Sequence, residues 1–489
     1  MIPVLSPAEM AAVDGQAAEP VDVLVGRAGA AVARRAGRLL GGVYARAFLV
    51  VAGKGNNGAD GRVAADLLAA RGARVRVLEA ADVRPGEALP AVDLVIDAAY
   101  GTGLRRPYAP PTAGRSPVLA VDIPSGLNGL TGEVPDGGGA MPAVATVTFA
   151  SWKPGLLFGA GPVLAGDVEL ADIGLGQLVD ATARCWLVED SDVLAALPRR
   201  PRGAHKWQSA VQVVAGSPGM TGAPWLVSRA AMRAGAGYVR LSMPGVSPAA
   251  LPPSELVHLQ VPERGWHDKV LQDISRVKAL VVGPGLGPAA SGAGDANAQD
   301  GLPGGEVGLL VASAPVPAVV DADGLNAIGT LEGLRVIVAR RRQPTVITPH
   351  VGELTRLAGH APGPDHLAAA RDASVRTGAI VLLKGPTTVV AAPDGKALLS
   401  ASGSSRLATA GTGDVLSGVI GAFIARGVPA FEAAALAAHT HGRAAGHGYG
   451  EGMVASDLPD LVAGWLSGLV GGGPVTAVVV RAVGVRVER

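Results

Sequence analysis

The chain has 489 residues, a net charge of +1 and a single cysteine. At roughly 100–200 residues per domain, the length allows two to four domains, and the balanced charge gives no call for nucleic acid or a membrane surface as partner. One thiol, Cys185, makes no internal disulfide, so the fold does not depend on an oxidising compartment; its simplest role is as a small buried apolar residue.

Residues 1–20 lack a basic start followed by an apolar core, so no signal peptide and a cytoplasmic location are expected. Two helical patterns follow, at residues 7–18 and 26–41. Residues 47–52 read as a short buried strand that runs into a polar, glycine-rich loop, residues 53–61. A helix at 62–71 and a strand at 74–78 complete a βαβ unit. Further strands at 93–97, 118–121 and 145–150 each end in a loop rich in polar residues. That arrangement suits an open parallel sheet, which binds ligands outside the carboxyl ends of its strands.

A basic, proline-containing run at residues 197–203 reads as a linker, giving domains at 1–198 and 199–489. A second α/β series begins with a strand at 211–215 and a helix at 223–236. Strands at 238–242, 279–282, 318–321, 345–348 and 379–383 follow. Residues 288–308 read as a loop. A glycine-rich turn then leads into an apolar helix at 415–425. The least polar long stretch, residues 461–480, is broken by Gly471-Gly472-Gly473-Pro474, so it reads as a helix followed by a strand and not as a membrane span.

With 70 glycines in the chain, an isolated Gly-x-Gly carries little weight. The stretch Thr409-Ala410-Gly411-Thr412-Gly413-Asp414 says more, because it precedes a helix. A helix N-terminus offers unpaired N–H groups and partial positive charge to an anion. An Asp there is placed to deprotonate a hydroxyl beside a phosphate; a plain N-capping Asp is the bland alternative. Residues 407–418 (LATAGTGDVLSG) resemble the anion-hole signature of the ribokinase-like superfamily in its NAD(P)H-hydrate dehydratase variant. His205-Lys206, Gly216-Ser217, residues 283–287 (GPGLG), Asp321-Ala322-Asp323, residues 348–353 and residues 384–388 agree in order. Three departures stand out. Val351 replaces a usual Pro, Ser404-Ser405-Arg406 replaces Asn-Pro-Gly, and Ser209-Ala210 stands where a glycine is common.

In the first half, Asn56-Asn57-Gly58-Ala59-Asp60-Gly61 resembles the Asn-Asn-Gly-Gly-Asp-Gly loop of the NAD(P)H-hydrate epimerase family, with Ala59 for a glycine. Residues 122–126 (DIPSG), residues 97–104 and Lys153-Pro154-Gly155 match its other hallmarks. Without the family, the Asn-Asn loop reads equally as an ordinary Asx turn.

The resemblance implies a Rossmann-like three-layer α/β domain followed by a ribokinase-like three-layer α/β domain. It implies epimerisation of R- and S-NAD(P)H hydrate by the first, and dehydration of the S form by the second at the expense of ADP, giving AMP and phosphate. Asp122 and Asp414 are the implied catalytic residues. Substrate would touch Asn56, Asn57, Gly58, Ala59, Asp60, Gly101, Thr102, Gly103, Leu104, Arg105, Arg106, Pro107 and Asp122 in the first half. In the second half it would touch Ala223, Gly285, Gly287, His350 and Asp414. Lys384, Gly385, Pro386, Thr387, Thr388 and Gly413 would hold the nucleotide. Asn57, Asp97 and Ser125 would bind a potassium ion, in keeping with hard oxygen donors; magnesium would accompany ADP. The expected partners are small molecules alone (NADH hydrate, NADPH hydrate and ADP), with a homo-oligomer of the chain.

Two other patterns carry less. His439 and His441 are two apart on a helix and face different ways, which argues against a shared metal. The glycines of residues 53–58 lack G-x-G-x-x-G spacing, which disfavours a conventional nicotinamide dehydrogenase. The rival reading is a small-molecule kinase of the ribokinase superfamily behind a dinucleotide-binding sensor domain.

Overall fold

The computed structural model describes residues 1–104, 106–287 and 302–471. Arg105, residues 288–301 of the expected loop and the strand expected before residue 480 lie outside the described residues. The chain divides into two compact units, residues 2–186 and, counted with Met1, residues 187–471 among those described.

In the first unit, the short strand β1 (Ile2–Pro3) meets β8 (Cys185–Leu187, whose last residue opens the second unit) where the Val4 N–H donates to Cys185 O at 2.9 Å. The main sheet has six parallel strands: β2 (Ala47–Ala52), β3 (Arg74–Glu79), β4 (Leu94–Ala98), β5 (Val118–Val121), β6 (Ala145–Phe149) and β7 (Asp167–Ala171). Their order is β3-β2-β4-β5-β6-β7. β4, β5 and β6 are buried throughout, which is why they read as unbroken apolar runs and not as alternation. Phe48, Val50 and Ile96 enter one core with the helices Val21–Leu40 and Asn56–Ala69. Leu49, Val51 and Val95 enter a second core with Leu89 and Met141.

The Asn-Asn segment is not a loop. It is the first turn of the helix Asn56–Ala69, which the sequence placed from residue 62 onward. Asn and Gly have poor helix propensity, and tertiary packing overrides it here. A Cβ at Gly58 would collide with Gly53 O, and one at Gly61 would lie 2.4 Å from the Ala98 side chain. Residues lacking Cβ let this helix press against the sheet. The preceding helix, Val21–Leu40, also starts earlier than expected, directly after Pro20.

The second unit contributes nine strands: β9 (Ala210–Val214), β10 (Tyr238–Ser242), β11 (Val257–His258), β12 (Ala279–Val282), β13 (Ala318–Val320), β14 (Thr345–Ile347), β15 (Ile380–Leu383), β16 (Thr388–Ala391) and β17 (Ala397–Ser400). Their order is β17-β16-β15-β14-β13-β12-β9-β10-β11. β15 through β11 run parallel, while β16 and β17 form an antiparallel extension. The α/β class read from the sequence holds in both units. The second part of the expected 288–308 loop is instead a helix, Gly305–Ser313. Its glycines and alanines masked an apolar face, with Val307, Leu310 and Val311 buried. The helix Leu458–Val470 covers the described part of the expected 461–480 element.

The stretch expected to link the domains begins inside the second unit. The helix Asp190–Ala196 packs there, and Asp190 accepts two hydrogen bonds from Arg443, each 2.9 Å, while His439 Nε2 lies 2.8 Å from its Oδ1.

Candidate functional site

The first unit holds a cavity of about 840 Å³ at the carboxyl ends of β2, β4, β5 and β6. β2 delivers Lys54, Gly55, Asn56, Asn57 and Asp60; β4 delivers Tyr100 to Leu104 and Arg106; Asp122 follows β5 and Lys153 follows β6. This is where an open parallel sheet places its ligand. Asp122 has φ +65, a left-handed conformation that a non-glycine residue adopts only at a cost, and such strain gathers at functional positions.

Lys153 is 2% exposed. Its ammonium donates to Asp122 Oδ1 at 2.6 Å, Thr148 Oγ1 at 3.0 Å and Phe149 O at 2.9 Å, which uses all three of its protons. Two more carboxyls line the same cavity, Asp14 and Asp60. Burial, then the negative charges of Asp122 and Asp14, push the Asp60 carboxyl up to about 8, with Lys153 opposing. Burial also raises Asp14, which Lys153 lowers and Asp122 raises again.

Asp97 and Ser125 are fully buried and are not among the residues lining the cavity. The Ser125 N–H donates to Asp97 Oδ2 at 2.9 Å, and its hydroxyl lies 2.6 Å from Oδ1. Burial pushes the Asp97 carboxyl up, and the Ser125 hydrogen bonds draw it back in part. Asn57 is 9% exposed, and its Nδ2 has no hydrogen-bond partner. Of the expected substrate contacts, Gly58, Ala59 and Pro107 do not line the cavity; Arg105 is outside the described residues.

In the second unit, strand ends from β13, β14 and β15 bring Asp321, Glu353 and Lys384 together. Lys384 Nζ lies 2.9 Å from Asp321 Oδ1 and 3.6 Å from Glu353 Oε2. Ser417, on the helix Thr412–Ala425, donates to Asp321 Oδ2 at 2.7 Å. Gly411 has φ +90, which turns the chain into that helix, and a Cβ on Gly413 would lie 3.4 Å from Lys384 Nζ. The helix N-terminus and the ammonium therefore face one spot. Burial pushes the Asp414 carboxyl up to about 7; Asp321, Asp323 and Glu353 add to this and Lys384 opposes it.

Across the same strand ends, the Gly287 N–H donates to Asp323 Oδ2 at 2.9 Å, and Ser217 Oγ donates to Gly285 O at 2.9 Å. A Cβ on Gly285 would sit 2.9 Å from the Ala223 methyl. His350 caps the helix Val351–Ala358: its Nδ1 accepts from the Gly352 and Glu353 N–H groups at 3.0 and 3.3 Å, leaving the side chain 53% exposed. His439 and His441 part ways, as their spacing requires. His439 pairs with Asp190, and His441 hydrogen-bonds the Thr412 backbone.

Residues 211–464 match the family described as NAD(P)H-hydrate dehydratase, and residues 21–90 and 79–155 match the family described as YjeF-related protein N-terminus. The bifunctional NAD(P)H-hydrate repair enzyme of Moorella thermoacetica is 36% identical over 440 residues, covering 79% of this chain and 80% of its own. That of Mycobacterium tuberculosis is 38% identical over 419 residues, covering 79% of this chain and 81% of its own. The chain belongs to the family of bifunctional NAD(P)H-hydrate repair enzymes. Among solved structures, it is similar to the ADP/ATP-dependent NAD(P)H-hydrate dehydratase of Bacillus subtilis, co-crystallised with ATP and Mg²⁺. That match has 24% identity and a TM-score of 0.45, and covers 57% of this chain and 97% of the other.

The departures from the repair family's usual motifs are absorbed locally. Arg406, in the Ser404-Ser405-Arg406 variant, donates to Ala445 O at 3.1 Å and Gly446 O at 2.7 Å, which fastens the segment to the end of a helix. Val351 opens its helix at the surface. Ala59 lies within a regular helix, where no glycine conformation is needed.

Sequence reasoning missed several members of the repair enzyme's first cavity, namely Met10, Asp14, Leu24, Lys54 and Tyr100. Met10 and Asp14 are four apart on the helix Pro7–Gly15 and so share a face. That spacing was the only signal available for Asp14.

Proposed function

We propose that the chain restores hydrated NAD(P)H in two steps, with R/S epimerisation in the first unit and ADP-dependent dehydration of the S form in the second. The observation that carries this reading is the match of both halves in one chain to relatives with that name, over about four-fifths of each. Every proposed site residue falls on the same side whether the division is drawn at residue 186 or, for the chemistry, as domains 1–198 and 199–489.

In the first unit, Asp122 acts as the base. Its carboxyl lies at the cavity wall, ion-paired with the Lys153 ammonium at 2.6 Å. The residues lining the cavity from Lys54 to Asp60 and from Gly101 to Arg106 hold the dinucleotide. Asn57, Asp97 and Ser125 fit a potassium ion. Asp97 is a fully buried carboxyl that no cationic side chain pairs with among the described residues, and the Asn57 Nδ2, interchangeable with its oxygen in assignment, has no partner. Bound potassium would supply the missing positive charge and tie three strand ends together.

In the second unit, the Gly411–Gly413 turn and Lys384 receive the phosphates of ADP, with magnesium on those phosphates in the usual manner. Asp414 takes the proton from the C6 hydroxyl as phosphoryl passes to its oxygen, and AMP leaves. The C6–O bond of the phosphoester then breaks with its electron pair going to phosphate. Loss of the C5 proton restores the ring double bond. His350 and the Gly285–Gly287 turn border the substrate.

The test is direct. The purified chain is given hydrated NADH and ADP, and the return of reduced-nicotinamide absorbance is followed. No return from either epimer overturns the reading. Phosphorylation of a sugar or pyrimidine alcohol in its place would favour a kinase.

A further inference from the structure

The first cavity contains more acid than its one buried lysine can neutralise. Asp14, Asp60 and Asp122 all line it, yet Lys153 spends its protons on Asp122, Thr148 and Phe149 O. Asp60 is 7% exposed, and among the described residues no group hydrogen-bonds its carboxyl. It stands in the first turn of the helix after β2, whereas Asp122 follows β5, on the other side of β4 in the sheet. The cavity therefore presents two carboxyls from separate strand ends, one ion-paired and one open to a ligand.

We propose that Asp60 is the proton donor of the first site, working opposite Asp122. This deepens the epimerase reading and rests on it. Epimerisation at C6 requires the hydroxyl to leave one face and water to return to the other. The Asp60 carboxyl gives its proton to the C6 hydroxyl oxygen. The C6–O bond breaks, water takes the bonding pair, and the N1 lone pair forms the C6–N1 double bond. A water molecule adds to the other face of C6, the pair returns to N1, and the added water loses a proton to the Asp122 carboxylate. Proton return from Asp122 to Asp60 through cavity water resets the pair, so no proton is gained or lost over the cycle.

The electrostatics agree with this division of roles. Asp60 faces Asp14 from the helix Pro7–Gly15, Asp122 after β5 and Lys153 after β6, with Lys54 and Arg106 also on the cavity wall. Burial and the two like charges hold its proton to about 8, while Asp122 has the ammonium at 2.6 Å. A carboxyl that keeps its proton beside a second carboxyl with a different partner is a usual mark of an acid and a base. Asp14 is a positioning residue in this scheme, since its charge helps Asp60 keep the proton.

The test uses the full chain without ADP, so that the second unit does not consume the product. R-NADH hydrate is supplied and S-hydrate is measured by chromatography. Asp60→Asn should slow interconversion by about 10²–10⁴-fold, while ADP-dependent dehydration of S-hydrate by the same preparation stays at the parent rate. In the parent, epimerisation should fall as pH rises through about 8. Asp14→Asn removes a like charge and should move that fall to lower pH. A parent chain without interconversion defeats the epimerase reading itself. A parent that interconverts, with Asp60→Asn within a few-fold of it, overturns the role of Asp60 alone. Should Asp60→Asn fail to fold, the Asp14→Asn profile decides: an unmoved basic limb overturns the proposal.

Discussion

The Lys384 ammonium lies 2.9 Å from the Asp321 carboxyl, which is 1% exposed and also accepts from Ser417. Burial disfavours the Lys384 charge, but Asp321 and Glu353 outweigh it, and the net effect raises the lysine above its ordinary value. Lys384 therefore keeps its charge throughout the neutral range. Lys384→Met would leave Asp321 buried without its cation. Breaking a buried pair from one side typically costs about 3–5 kcal/mol, so thermal melting of the second unit should fall clearly. Lys384 also holds the Asp414 carboxyl down, so any residual dehydration should need higher pH. An unshifted melting curve would mean that the pair contributes little.

Asp414→Asn should lower dehydration by about 10²–10⁴-fold, the usual worth of a general base. Nucleotide binding, followed by calorimetry with ADP, should survive, because Lys384 and the Gly411–Gly413 backbone are untouched. A base must be ionised, and Asp414 is held at about 7. Parent turnover should therefore climb as pH rises through about 7. Near-parent turnover in the variant would pass the role to another group, with His350 next in line.

Potassium should raise both the melting temperature and the R-to-S rate relative to a bulky organic cation, since an ion that binds only the folded chain stabilises it. Asp97→Asn should remove that dependence, because the buried charge that needs the ion is gone. Indifference of the parent to the exchange of cations would count against the site.

His441 gives the second unit a pH signature of its own. Burial pushes it down to about 4, with the Thr412 backbone opposing and Lys384 adding to the shift. An unfolded histidine takes up a proton near 6.5, so between about 6.5 and 4 the unfolded chain binds more protons than the folded one. Stability must fall across that window as pH drops, by up to about 1.4 kcal/mol per pH unit. His441→Asn should flatten this slope in a melting series; an identical slope would place its origin elsewhere.

A fragment starting at Leu187 should be more stable than one starting at Arg199. The shorter fragment lacks Asp190, whose carboxyl meets both Arg443 and His439. Burial alone would raise Asp190, but the hydrogen bonds from His439 and Arg443 prevail and lower it. Its contribution is thus present at neutral pH and lost only in strong acid. Equal denaturation midpoints for the two fragments at pH 7 would defeat this.

Much of the architecture was legible because buried parallel strands such as Phe48–Ala52 and Leu280–Val282 stand out as apolar runs ending in polar residues. The antiparallel strands Thr388–Ala391 and Ala397–Ser400 and the alanine-rich helix Ala430–Gly446 carried no comparable boundary signal. The Asn-Asn turn was read as a loop because propensity is local, whereas the close approach of Gly58 to Gly53 that makes it helical is tertiary. The same limit applied at the sites. Asp122 and Asp414 announced themselves within motifs. Neither the pairing of Asp122 with Lys153, 31 residues away, nor the nearness of Asp14 to that pair follows from any spacing along the chain.

The Asp190 clamp also bears on the order in which the protein can form during synthesis. A ribosome that has released residue 186 has already supplied every described residue of the first unit's sheet and cavity. Asp190 emerges next, but its partners His439 and Arg443 lie 249 and 253 residues further on. The nascent chain can therefore complete one catalytic body early, while the Asp190 carboxyl must wait for His439 and Arg443 until nearly the whole second half has been translated.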